Sequence, residues 1–219
     1  MSNIITIGFV SEGTTDVRFL ENIIKRTFEE VAFECSGEIE VYDPVNLGFT
    51  RGPFIETVFS KAKEAFQKGL MVLCVHADAD AATDQDTFTN KITPAFQEIE
   101  QSDEKVCKGL TPIVPVQMTE AWMLADREAL RNEIGTELTV QNLGINRSPE
   151  GIADPKSVIA DAIRQAYSDV PRRRHKMSIA DLYLPLGQKA KMEELERLPS
   201  FQKFRSAVRE VYRSLNYLH

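Results

Sequence analysis

Apolar residues along the chain fall into two patterns, short unbroken runs and runs with helical spacing. Ile4 to Val10 (Ile-Ile-Thr-Ile-Gly-Phe-Val) is a β-branched run suited to a buried strand. It stops at Ser11-Glu12-Gly13-Thr14-Thr15. From Asp16 onward, Phe19, Leu20, Ile23, Ile24, Phe28 and Val31 recur at helical intervals, and Thr14 or Thr15 can cap that helix. Gly37 to Tyr42 reads as a strand and Val45 to Gly52 as a loop. Pro53 then opens a helix through about Lys68, in which Phe54, Val58 and Ala65 share a face. Leu70 to Val75 is the most apolar run and predicts a central strand, leading directly into His76-Ala-Asp78-Ala-Asp80. A helix is expected from about Thr87 to Glu100. Thr111 to Val116 is a further strand, whose prolines place it at an edge. Glu120 to Ile134 reads as one helix.

Strands alternating with helices predict an α/β sandwich with a largely parallel sheet flanked by helices. In such sheets functional groups collect beyond the carboxyl ends of the strands. Glu12, Asp78 and Glu120 all fall just there. From Ser148 the pattern is helical, over Asp154 to Ala166 and Met192 to Leu218, with Pro185-Leu-Gly187 between. The expected organisation is an α/β core over 1–147 and a helical C-terminal segment over 148–219, packed together as one unit.

Composition narrows the class. The 219 residues are 42% hydrophobic and 27% charged, the profile of a globular domain. No apolar run nears the roughly 20 residues of a membrane-spanning helix. Met1 to Val10 lacks the basic start and cleavage site of a leader peptide. Cys35, Cys74 and Cys107 are too few and too scattered for a disulfide framework or a zinc site, so a reducing compartment, the cytoplasm, is expected. The net charge of -7 is unevenly spread. Residues 1–150 carry 13 basic against 25 acidic side chains, and residues 151–219 carry 13 against 8. An acidic part beside a basic part suits metal binding next to an anionic partner; on charge alone, ordinary solvated helical faces are the commoner explanation of the basic part. Arg172, Arg173, Arg174 and Lys176, around His175, form the densest basic run. They are candidates for phosphate contacts, or a solvated loop.

The candidate chemistry is acidic. If the strand continues through Asp78-Ala-Asp80, both carboxylates point to one face, and a hard cation such as Mg²⁺ would relieve their repulsion. A lone pair of this kind also occurs as solvated loop acids. Glu12-Gly13, with Asp16 in the first turn of the next helix, adds two more carboxylates. The plain alternative has Asp16 capping the helix and Glu12 exposed. His76 could ligate a metal or act as a base, but a packed, hydrogen-bonded histidine is the commoner role at a strand end. Trp122 reads as core packing. Asp84 and Asp126 could stand behind the metal ligands, and Asp126 could equally be a solvated helix residue.

The order strand–Glu12-Gly13-x-x-Asp16, then strand–Asp78-x-Asp80 some 60 residues later, resembles the Toprim domain of topoisomerases, DnaG-type primases and OLD-family nucleases. Ser11 to Asp16 is most similar to the OLD-type nuclease branch and its small standalone relatives. Glu120-Ala-Trp122-Met-Leu124-Ala-Asp126, Asp154-Pro155-Lys156 and the ending around Leu198-Pro-Ser-Phe201 resemble segments of the standalone group, so the likeness spans nearly the whole chain. It implies a Toprim-like, Rossmann-like fold. It implies a metal-dependent nuclease in which Glu12, Asp16, Asp78 and Asp80 bind one or two Mg²⁺ or Mn²⁺ ions. Glu120 would help hold the second ion, and Lys156 would stabilise charge on the scissile phosphate. Two such ions clamp the attacking and leaving oxygens of an in-line displacement. Nucleic acid is the implied substrate. The ATPase partner of OLD-type nucleases would have to be separate, because no Gly-x-x-x-x-Gly-Lys-[Ser/Thr] motif occurs. A non-catalytic module binding nucleic acid or a partner, and a small-molecule phosphotransferase or phosphatase, are the rival readings. The sequence leaves the oligomeric state open, a homodimer included.

Overall fold

A computed structural model describes residues 3–168 and 177–219. The basic run Arg172 to Lys176 therefore lies outside the described residues. The chain starts with β1 (Asn3–Ile5) and β2 (Ile7–Val10), one extended path interrupted at Thr6. Then come α1 (Val17–Ala32), β3 (Ile39–Val41), β4 (Val45–Asn46), α2 (Phe54–Gln67) and β5 (Val72–His76). Helix α3 (Gln85–Thr87) continues through a π-helical turn, Phe88–Ile92, into α4 (Thr93–Gln101). After β6 (Leu110–Ile113) the chain is helical, with α5 (Thr119–Met123), α6 (Arg127–Ile134), α7 (Pro155–Ala166), α8 (Tyr183–Lys189), α9 (Met192–Leu195) and α10 (Pro199–Ser214).

Every strand pairing is parallel, in the order β4-β2-β5-β6, and β1 pairs with β3 alongside. Because successive side chains alternate across a strand, the sheet is apolar on both sides. Ile7, Phe9, Val72, Cys74 and Ile113 face α1 and the C-terminal helices. Val10, Leu73 and Val75 face α2 and α4. The result is a Rossmann-like α/β sandwich, with the C-terminal helices sharing the larger core. Trp122 is fully buried there, its ring edge-on to Phe201 at 5.2 Å and its indole N–H donating to Ser200 Oγ at 2.7 Å.

Several expectations change in detail. Val45–Asn46 is a short strand inside the expected loop. The helix expected over Glu120 to Ile134 is two helices. Asp126 breaks it by accepting from the Ala129 N–H at 3.0 Å and so capping α6. Pro199 likewise starts a fresh helix after Leu198, at the first helical position where its missing N–H costs nothing. Pro185 and Gly187 are helical, not a break. Pro185 sits in the first turn of α8, where its N–H would be unpaired anyway. Gly187 lies against α1, where an added Cβ would stand 2.8 Å from the Phe19 carbonyl oxygen. Arg26 of α1 donates to the carbonyls of Gly187 and Ala190 at 2.9 and 2.6 Å, which locks the two helices together.

Candidate metal centre

The register Val10↔Val75 sets Ser11, just past β2, beside His76, the last residue of β5, at the carboxyl edge of the sheet. The backbone beyond β5 stays extended. Ala77 N–H donates to Ile113 O at 3.1 Å and Ala79 N–H to Pro115 O at 3.0 Å. His76 and Asp78, two positions apart, therefore share a face. That conformation stops at Asp80, whose φ of +51° is left-handed; its N–H is held by Gln117 O at 2.8 Å. The expected single face for Asp78 and Asp80 thus gives way to a His76–Asp78 face. Asp80 is exposed, and it stands outside the close group of Asp16, His76 and Asp78, as Glu12 and Glu120 also do.

Asp16, His76 and Asp78 bring one potential ligand atom each within 4.8 Å of one another. Asp16 occupies the N-cap position of α1 but makes no capping hydrogen bond with its side chain, so neither its own carboxylate nor the expected threonines cap the helix. It folds back over Gly13 instead. A Cβ at residue 13 would lie 2.0 Å from Asp16 Oδ2, so a larger residue there would displace the Asp16 carboxylate from this position. Asp16 is 6% exposed and forms no ion pair among the described residues. Burial pushes its carboxyl up from 3.8 to about 6; the His76 and Lys156 charges oppose the rise, while Asp78 and Glu120 add to it.

His76 is fully buried and bonded at both ring nitrogens. Nδ1 lies 3.1 Å from Ser11 Oγ, which itself donates to Gly13 O. Nε2 lies 3.2 Å from Asp78 Oδ1 and 3.0 Å from Thr119 Oγ1, which donates to the same carboxylate. Both nitrogens thus have hydrogen-bonding partners, and the ring is held in one orientation. Burial pulls its pKa down, but the hydrogen bond and charge of Asp78, with Asp16 and Glu12 behind, outweigh burial and raise it. For Asp78, burial pushes the pKa up. His76 and the Thr119 N–H (2.8 Å) and hydroxyl outweigh burial and hold it below the usual carboxylate range.

Glu120, 3% exposed, is turned inward from the first turn of α5. It accepts from the Tyr183 hydroxyl, and Lys156 Nζ reaches its Oε1 at 3.3 Å. Burial and that carboxylate both raise the pKa of the Tyr183 phenol. Lys156 is placed at the start of α7 by Asp154, which caps the helix by accepting from the Ser157 N–H at 2.9 Å. Glu12 sits at the rim, where Lys91 Nζ lies 3.2 and 3.3 Å from its two oxygens.

Each of Glu12, Asp78 and Glu120 therefore carries a basic partner, and Asp16 does not. Carboxylate oxygens with one neutralisable imidazole form a donor set for Mg²⁺ or Mn²⁺. The buried, uncompensated Asp16 is the position where a divalent ion relieves the most strain, so the residues fit the expected metal. Lys91 and Tyr183 were not legible as parts of this site.

The family model described as a domain of unknown function (DUF4276) matches residues 11–209. The chain belongs to that family. Its match begins at Ser11, and the DUF4276 span takes in Glu12, Asp16, His76, Asp78, Lys91, Glu120, Lys156 and Tyr183. No curated protein and no solved structure matches the chain.

The other acids singled out in this DUF4276 chain have structural work. Asp84 is 6% exposed and ion-paired to Lys203 of α10 at 2.6 Å. Asp126, besides capping α6, accepts from the Lys191 N–H at 2.9 Å. Neither belongs to the metal group.

Proposed function

We propose that this chain is a divalent-metal-dependent nuclease of the Toprim type, closest to OLD-type nucleases, hydrolysing phosphodiester bonds of DNA or RNA. The observation that carries the reading is the buried Asp16 carboxylate, which has no ion-pair partner among the described residues and lies close to His76 and Asp78 at the carboxyl edge of a parallel sheet. Asp16, Asp78, Glu12 and Glu120 would hold one or two Mg²⁺ or Mn²⁺ ions. When bound, such an ion supplies electrophilic activation of the phosphodiester and of the attacking water.

The remaining residues orient and neutralise. Thr119 and His76 fix the rotamer of Asp78, and Tyr183 fixes that of Glu120. Lys156, with its side chain 55% exposed, is free to turn from Glu120 to the phosphate and offset charge developing there. In the metal-free protein the Asp16 carboxyl titrates at about 6, so at lower pH an incoming ion must displace its proton and binding should weaken as pH falls. Asp80, exposed beside the group, would meet an ion or its waters at the solvent side. A separate ATPase partner and action in the cytoplasm belong to the same reading. The three free cysteines agree with a reducing compartment, and among the described residues no helix is long and apolar enough to cross a membrane.

The test is incubation of the purified protein with plasmid, single-stranded DNA and RNA in Mn²⁺, Mg²⁺ or EDTA, beside Glu12→Ala and Asp78→Ala. Cleavage that needs metal and disappears in both variants supports the proposal. Absence of metal-dependent cleavage by the wild type, also with a genomic-neighbour ATPase added, refutes it.

A further inference from the structure

Lys91 is the basic partner that the resemblance does not supply. It sits in the π-helical turn Phe88–Ile92, which inserts an extra residue per turn and redirects the side chains it carries. That turn is fixed at its start by the Asp84–Lys203 pair. From it, the Lys91 ammonium reaches both oxygens of Glu12 and lies 5.6 Å from the centre of the Phe54 ring. Its side chain is 34% exposed, open to a ligand arriving from solvent. Among the described residues Glu12 is its one carboxylate partner. Lys156 approaches the same acidic group from α7, an element remote in sequence from that turn.

We infer that Lys91 is a second phosphate-contacting cation: it occupies Glu12 in the metal-free protein and passes to a substrate phosphate when a divalent ion takes that carboxylate. The inference rests on the nuclease reading. An ammonium and a divalent cation compete for the same oxygens, and each disfavours the other at close range. The Phe54 face keeps the released ammonium near the rim, where a phosphate oxygen beside the metal is the group that accepts it. Without metal, lysine balances Glu12; with metal, the ion balances the acids and Lys91 and Lys156 together balance the phosphate.

The experiment uses the full chain and the variants Lys91→Met and Lys91→Arg, with folding checked by circular dichroism. Mn²⁺ binding is measured calorimetrically, and binding of a single-stranded oligonucleotide is followed against salt in Ca²⁺. Removing the competing ammonium should tighten Mn²⁺ binding about two- to fivefold, the range for a partly exposed ion pair. The slope of log K against log salt should fall by about 0.7 for one lost phosphate contact. Cleavage should drop about a hundredfold, as for other lost charge-stabilising groups. Lys91→Arg should retain the wild-type salt slope. Unchanged or weaker Mn²⁺ binding in Lys91→Met, or an unchanged slope, overturns the inference even if the wild type cleaves. If both shifts appear and the wild type cleaves nothing, the nuclease reading fails while the exchange at Glu12 is upheld.

Discussion

Replacing Asp16 with asparagine should make the metal-free protein more stable and the metal-loaded protein less so. The Asp16 carboxyl titrates at about 6 in the fold against 3.8 when free, a rise caused mainly by burial. At about 1.4 kcal/mol per unit, that shift corresponds to about 3 kcal/mol. The sign follows from proton binding. The folded state holds the proton more tightly, so the group's contribution is fully present below pH 3.8 and is lost as pH rises through about 6. The asparagine side chain brings no charge to bury. In EDTA, urea unfolding of Asp16→Asn should match the wild type near pH 4 and exceed it by up to about 3 kcal/mol at pH 8. Adding Mn²⁺ at pH 8 should stabilise the wild type by mass action and leave the variant unmoved. The reasoning is refuted if the variant is no more stable than the wild type in EDTA at pH 8. It is equally refuted if Mn²⁺ stabilises both proteins alike.

Gly13→Ala should cost at least about tenfold in Mn²⁺ affinity with the fold retained, because the new Cβ takes the space of Asp16 Oδ2; calorimetry beside circular dichroism checks it. Ser200→Ala leaves the buried Trp122 N–H without an acceptor and should destabilise the protein by about 1–3 kcal/mol, read from the fluorescence of the single tryptophan during denaturation. Asp126→Ala removes the cap of α6 and the tie to Lys191, so a loss of about 2 kcal/mol with unchanged metal affinity is expected; weakened metal binding would instead make Asp126 part of the site.

The sheet was legible because the runs at Ile4–Val10 and Leu70–Val75 are apolar on both faces, which only a strand covered by helices on either side requires. Glu12, Asp78 and Glu120 were legible for the same reason, since position at a strand end follows from the strand. The face of Asp80 was not, because it depends on a left-handed residue held by Gln117, a contact between segments far apart in sequence. Asp126 looks like a solvated helix acid until Lys191 is seen to pack against it. Lys91 is not legible because nothing in Phe88–Ile92 announces a π-helical turn, and its partner Glu12 lies 79 positions away. For Asp16, helix capping suited the residue type well, and only the folded geometry shows that its side chain makes no capping bond.

The acids of the cluster and the groups that balance them come from segments spread along the chain. Glu12 and Asp16 leave the ribosome first, Asp78 and Lys91 follow, and Lys156 and Tyr183 come in the last third. Glu120 therefore waits for partners 36 and 63 positions downstream before its carboxylate can be buried without loss. Of the four acids, Glu120 alone is held by partners from α7 and α8 among the described residues. The Glu120 arm of the cluster therefore depends on α7 and α8, whereas Asp16, His76 and Asp78 meet through β2, α1 and β5 alone.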